Sequence, residues 1–274
     1  MAADDGYDII TIDQALGSMA MTNERTGNMK PMGYGVNSCC VHNDNLYVCS
    51  SPLRLAPNVG AVTQPVLMIL TVERDLNLSL VSRFNDGSSI DRMNRIVEIP
   101  VLGKANIRVR SVDFNFCVWD DRQIIAHVIS EDRGRLYFVR ENYLIEIMEL
   151  NVIFKPSNMQ CVNGLVYMFG EYMNGRSVVG VFGSVGGRNV FEVIKEGEDI
   201  TSGSAVVNDD HRIYFVSNAR RMLGSFSAHE PATVWHDAYV NVRCVVPSGT
   251  TIAATRSTEG IVVSLTDTMT KAAR

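Results

Sequence analysis

Five stretches of the chain share one pattern: an apolar strand end, a turn of Asn, Asp, Gly or Ser, and a second apolar run. They read CVHNDNLYVCS (40–50), VWDDRQIIAHVIS (118–130), CVNGLVYMFG (161–170), AVVNDDHRIYFVS (205–217) and VPSGTTIAATRS (246–257). With Tyr47, Ile125, Tyr167, Tyr214 and Ala253 aligned, the steps between them are 78, 42, 47 and 39 residues. Three of those steps have nearly one length, so the chain repeats a supersecondary unit. No amphipathic helical pattern longer than two or three turns interrupts it, which makes the unit a sheet.

The repeat decides how the acidic pair Asp209-Asp210 is read, with His211 beside it. Asn43-Asp44, Asp120-Asp121, Asn163-Gly164 and Ser248-Gly249 fill the same slot in the other units. These residue types suit tight hairpins because they tolerate positive φ and bond local backbone groups. A metal or acid–base pair would not recur as Asn-Gly and Ser-Gly, so the slot is a turn.

Each unit supplies short β-rich segments. From residue 106 they are NIRVRSVDFNFCVW, RQIIAHVIS, RLYFVREN and YLIEIMEL; the next unit gives VIFKPSNMQCV, LVYMFGEYM, RSVVGVFGSV and NVFEVIKEG. Then come SGSAVVN, RIYFVSN, RMLGSFSA and ATVWHD, and last YVNVRCVVP, TIAATRS and GIVVSLTD, one strand short. The irregular first unit has NSCCVHN, NLYVCSS, PVLMILTVERD and LNLSLVSRF. YDIITIDQ (7–14) reads as a lone strand that pairs with the carboxy-terminal sheet and removes two open edges.

Repeats of 40 to 47 residues with four strands each resemble the blades of a β-propeller, over roughly residues 7 to 268. The resemblance implies an all-β fold of five four-stranded blades closed by pairing of the amino- and carboxy-terminal strands, in a single domain spanning 1–274. Residues 7–14 are the closing strand, with blades at 15–88, 89–150, 151–197, 198–237 and 238–268. Six blades is the alternative, with RMNRIVEIPV (92–101) in an extra small blade. Kelch repeats place a double glycine late in the second strand, whereas the only one here, Gly186-Gly187, falls between later strands. WD repeats end blades in Trp-Asp, and Trp119-Asp120 sits instead in an inner hairpin. The resemblance to propellers therefore carries a fold and no named family.

Composition narrows the function classes. A net charge of −5 argues against a nucleic-acid binder, which needs a surplus of Lys and Arg. The short basic clusters Arg108/Arg110 and Arg220/Arg221 read as solvated strand faces. The longest fully apolar run near the start, VLMIL (66–70), is far short of the roughly 20 residues a membrane helix needs, and no membrane partner is expected. MAADDGYD lacks the basic and apolar regions of a signal peptide. The protein is thus expected in the cytoplasm or nucleus, or in a particle assembled inside a cell, and not secreted. Cys39, Cys40, Cys49, Cys117, Cys161 and Cys244 show no C-x-x-C spacing and read as buried thiols.

Catalytic motifs are missing. GSVGGRN (183–189) lacks the lysine and helix of a P-loop, G-x-S-x-G does not occur, and His42, His127, His211, His229 and His236 never form H-x-x-x-H. No metal site and no cofactor are expected. The expected function is a non-catalytic protein-interaction or structural subunit of a larger assembly, such as a viral particle, rather than an enzyme. The loop 51–65 supplies its contact: it is long, apolar and carries a single charge, and Leu53, Arg54, Leu55, Val59 and Val62 are the protein-binding residues. The alternative is a propeller glycoside hydrolase or a sugar-binding lectin. Some five-bladed propellers hydrolyse sugars, which takes two carboxylates roughly 5 to 9.5 Å apart, and Asp113 and Glu198 lie near candidate innermost strands.

Overall fold

A computed structural model describes residues 9–13, 18–22, 29–31, 34–42, 45–52, 66–72, 78–85, 96–120, 123–197, 200, 205–217, 219–220, 222–240, 242–248, 251–256 and 262–265. Among these residues the chain is almost wholly strand. It divides into two compact units: residues 1–116, 125–131 and 136–146 make the first, and 117–124, 132–135 and 147–274 the second. No helix among the described residues is long and apolar enough to cross a membrane.

The protein is a β-propeller, and its strands follow the segments expected from the repeat. After the short strands β1 (Ile9–Asp13), β2 (Ser18–Thr22) and β3 (Met29–Pro31), the first blade joins β4 (Tyr34–His42), β5 (Asn45–Pro52), β6 (Val66–Val72) and β7 (Leu78–Asn85) in sequence order. The second blade is β10 (Phe114–Asp120), β11 (Gln123–Ser130), β12 (Arg133–Val139) and β13 (Leu144–Glu149). The third is β14 (Lys155–Val162), β15 (Leu165–Glu171), β16 (Ser177–Val185) and β17 (Arg188–Gly197). The fourth is β18 (Val206–Val207), β19 (Arg212–Ser217), β20 (Met222–Ser227) and β21 (Val234–Val240). The fifth has three strands among the described residues, β22 (Val242–Ser248), β23 (Thr251–Arg256) and β24 (Val262–Leu265).

Two further sheets depart from expectation. β1 (Ile9–Asp13) is no lone strand: it pairs with β2 (Ser18–Thr22), from Ile9 opposite Thr22 to Asp13 opposite Ser18, and β2 pairs with β3 (Met29–Pro31). Among the described residues the backbone partner of β1 is therefore a local hairpin strand, not the carboxy-terminal sheet. SMAMT has only Thr22 as a β-branched residue, so its pairing is set by the neighbouring strand more than by propensity. The second departure is β8 (Ile96–Ile99) with β9 (Ile107–Arg110), a two-stranded ladder and not a sixth blade. It takes the first half of NIRVRSVDFNFCVW, and a 3-10 turn at Ser111–Asp113 breaks that segment before β10 begins.

Three hairpins owe their tightness to two residues at positive φ, the geometry that matches the right-handed twist of the flanking strands. Asn163 (φ 49°) and Gly164 (φ 79°) join β14 to β15, and Gly186 (φ 58°) and Gly187 (φ 76°) join β16 to β17. Glu131 (φ 51°) and Asp132 (φ 55°) do the same between β11 and β12. Those two side chains suffer the left-handed penalty that glycine escapes, about 1 kcal/mol each. Replacing Glu131-Asp132 by Asn-Gly is expected to raise the unfolding free energy by about 1 kcal/mol. Urea titration reads it as a higher midpoint at unchanged slope; an unmoved midpoint would count against the strained turn.

Burial is near-continuous along the inner strands, as over residues 124–128 of β11 and 166–170 of β15, the pattern of strands covered on both faces. In the second unit Tyr167, Phe169 and Val179 of the third blade pack with Ile213, Phe215 and Phe226 of the fourth. In the first unit Phe84 lies against Phe114, ring centroids 6.0 Å apart. Polar ties accompany this packing. Ser82 Oγ donates to the carbonyls of Arg140 (2.6 Å) and Glu141 (3.1 Å), and Arg83 N donates to Glu141 (2.8 Å). On β14, the side chains of Asn158 and Gln160 donate to the Ala205 carbonyl at 2.8 and 3.2 Å, while Gln160 Oε1 accepts from Val207 N at 2.9 Å. The first strands of successive blades are thereby neighbours: β14 lies beside β18, β18 beside β22, and in the first unit β4 beside the Ser111–Asp113 turn.

Candidate functional site

Two of the hairpin slots, Asn163-Gly164 and Asp209-Asp210, are turns, while Asn43, Asp44, Asp121 and Gly249 lie outside the described residues. Asp209 and Asp210 are exposed between β18 and β19, where His211 N donates to the Asn208 carbonyl at 3.0 Å and Asn208 N to the Arg212 carbonyl at 3.0 Å. The Asp209 carbonyl accepts from Asn163 Nδ2 of the preceding slot at 3.0 Å. His211 Nδ1 is bonded to Tyr167 Oη at 2.9 Å, and burial pushes the Tyr167 hydroxyl up to about 12. In the same way Trp119 Nε1 donates to the Gly164 carbonyl at 3.0 Å. These residues brace one turn against the next.

The other candidates scatter. Leu53, Arg54, Leu55, Val59 and Val62 lie outside the described residues, as do Arg221 and Glu198. Arg220 stacks on Trp235, 4.6 Å from the ring centroid. His229 is exposed, and His236 Nε2 is engaged by Ser225 Oγ at 2.8 Å. Among the described residues no three His, Cys, Asp or Glu side chains gather into a group fit for a metal ion. Cys49 and Cys117 are buried thiols, while Cys39, Cys40 and Cys161 are half-buried. His127, on β11, is fully buried, and burial pushes it down to about 3, so it is neutral at any ordinary pH.

What the fold does gather is polar chemistry where β9 turns into β10, within the first unit. Asp113 is not on a solvated strand face: it ends the 3-10 turn, only 3% exposed, and its Oδ2 accepts from Arg110 Nε. Ser111 (1% exposed) and Asn115 (6%) flank it at two-residue spacing, and among the described residues Ser111 Oγ and Asn115 Nδ2 have no hydrogen-bond partner. Across from them, Ser38 Oγ on β4 donates to the Phe114 carbonyl at 3.4 Å. The turn itself reaches the surface, since Val112 and the Arg110 side chain are exposed, the latter by 61%.

Such an arrangement is costly unless something uses it. A buried polar atom without a partner costs about 1–3 kcal/mol, which is why native interiors hold few of them. Two in one short segment, beside a buried carboxylate, make a cradle of hydrogen-bonding groups at the head of a first strand. In the sequence the signal was Asn115 between Phe114 and Phe116: a polar residue inside an apolar run that should be buried.

Fold and site together define an all-β propeller with a polar cradle on its second blade. No protein-family model matches the chain, and no curated protein matches it. Solved structures do resemble it. The β-propeller domain of Myceliophteria thermophila Cps50 (Swd1) is 8% identical at a TM-score of 0.49, with 94% of this chain and 78% of that one covered. The PQQ-bound aldose sugar dehydrogenase of Streptomyces coelicolor is 10% identical at 0.48, covering 95% and 90%. A puromycin-hydrolysing peptidase of Mycobacterium tuberculosis is 10% identical at 0.49, and this chain spans 97% of itself but 44% of that protein. At these identities the likeness is one of fold alone.

The expectation of a non-catalytic structural or interaction subunit, with its viral-particle form, is corrected here. It rested on the missing catalytic motifs, yet enzymes stand among the solved structures that share this fold, the sugar dehydrogenase and the peptidase included. Absence of a short motif is a poor guide in a propeller, where site residues come from separate strands and need no fixed spacing.

Proposed function

We propose that the protein is a carbohydrate-active propeller enzyme of the glycoside-hydrolase kind, with its ligand at Ser111, Asp113 and Asn115. The observation that carries the reading is the pair of buried, unpartnered groups, Ser111 Oγ and Asn115 Nδ2, beside the Asp113 carboxylate. A sugar is dense in hydroxyls that both donate and accept, so one ring can satisfy an amide N–H, a hydroxyl and a carboxylate together. Asp113 would serve as one of the two carboxylates that glycoside hydrolysis requires, accepting a proton from water or attacking the anomeric carbon; the other, for which Glu198 outside the described residues is the candidate, would give its proton to the leaving oxygen.

A glycan panel tests this with two readouts, binding and release of reducing sugar. Ser111→Ala and Asn115→Ala should each weaken binding about tenfold, the worth of a hydrogen bond of about 1.4 kcal/mol. Asp113→Asn should lower turnover at least a hundredfold, with a thermal melt to show that the variant is folded. Binding without release in the wild type would replace hydrolysis by the lectin-like alternative. A chain that binds no glycan would refute both.

A further inference from the structure

The charged groups around the cradle say more about its ligand than the buried ones do. β9 turns Ile107 and Val109 inward and leaves Arg108 and Arg110 exposed on the same face of the strand, about 7 Å apart along the backbone. Two neighbouring charged side chains have partners of their own. Lys104 Nζ is paired with Glu146 at 2.8 Å. Glu98, which stands opposite Arg108 in the β8–β9 register, accepts from Asn106 Nδ2 at 3.0 Å. Arg108 makes no ion pair among the described residues, and Arg110 makes one, through Nε to Asp113.

That single bond changes what Arg110 is. A lone surface arginine is a mobile, solvated charge whose capture by an anion loses rotamer entropy. Here the buried carboxylate of Asp113 grips the guanidinium by Nε, which holds the plane of the fork and leaves its terminal N–H groups for something else. A planar fork with two terminal nitrogens matches a carboxylate or a phosphate bidentately.

We infer that the ligand of this site is an anionic carbohydrate, a sugar bearing a carboxylate or a phosphate, whose oxyanion is held by Arg110 and Arg108 while its hydroxyls meet Ser111 and Asn115. The inference rests on the carbohydrate reading above and adds the charge of the substrate. Arg110 is then shared between the ligand anion and Asp113, so the anion is placed next to the carboxylate and the buried donors.

The test is isothermal titration of the full-length protein with four probes: glucose, glucuronate, glucose 6-phosphate and inorganic phosphate. Either acidic sugar should bind at least tenfold tighter than glucose at low salt, and the margin should shrink as ionic strength rises, because exposed charges are screened. The better of the two identifies the oxyanion. Arg108→Ala and Arg110→Ala should each collapse the ratio of acidic to neutral affinity, and Arg110→Lys should restore little of it, since an ammonium lacks the fork. Equal affinities for glucose and both acidic sugars would overturn the inference and leave the carbohydrate reading standing. Inorganic phosphate binding as tightly as glucose 6-phosphate would overturn the carbohydrate reading, since no sugar is then recognised.

Discussion

Lowering the pH from 7 to 4.5 is expected to remove about 3 kcal/mol of folding stability through His127 alone. Its imidazole is fully buried on β11, and desolvation pushes it down to about 3, against an ordinary value of 6.5. Between those two values the unfolded chain takes up a proton that the folded chain refuses. Stability therefore rises with pH across this window and is lost as pH falls through it, by at most about 1.4 kcal/mol per pH unit. The loss is complete near the folded value, where the native state protonates as well. Urea unfolding at pH 7 and pH 4.5 measures the difference, and His127→Gln and His127→Leu are the controls. Either variant, if folded, should show a shallower decline than the wild type. Glu149, held low by Arg133 and Arg135 on the surface, titrates in all three proteins and cancels in the comparison. Parallel declines in wild type and variants would place the acid sensitivity elsewhere.

Gly170→Ala is the second large effect, at a cost of about 3 kcal/mol. Gly170 faces Pro156 across the β14–β15 ladder, next to the bulge between Pro156 and Asn158. A methyl there would press on the Lys155 carbonyl oxygen, 2.7 Å from the carbonyl carbon and 2.8 Å from Phe154 Cδ2. Backbone cannot swing aside as a side chain does, so β14 would have to move, and with it Asn158 and Gln160, which clamp the fourth blade at Ala205. Gly183→Ala is the matched control, since its methyl meets only the tip of Leu165 at 2.6 Å. That leucine can rotate, and the variant should be close to neutral after the entropy gained by removing a glycine. Thermal melts of the two variants give the comparison. If Gly170→Ala melts with the wild type, the close approach of the two strands is wrong.

Why the blades were legible in the chain and the cradle was not comes down to the range of the interactions. Asn163-Gly164 is a turn because two consecutive residues must hold positive φ, a demand met within the residues themselves. LVYMFGE and SVVGVFGSV are strands because β-branched and aromatic side chains pack on a pleated surface, whatever lies beyond. Short-range physics of this kind repeats at each step of about 40 to 47 residues, and it set the order of strands and the positions of four successive hairpins.

Pairing and burial needed the tertiary structure. SMAMT becomes a strand only because β1 offers it a backbone partner. Asp113 could stand on a wet strand or under cover with equal local propriety. Its burial is decided by β4, whose Ser38 reaches the Phe114 carbonyl 76 residues along the chain, and by the turn that lets Arg110 bend back to it. By itself the sequence determined an all-β repeat of five units, since strand alternation and turn chemistry are local. Only the tertiary structure decided that Ser111, Asp113 and Asn115 are buried together beside two exposed arginines, because burial is a property of what packs against a residue and not of the residue.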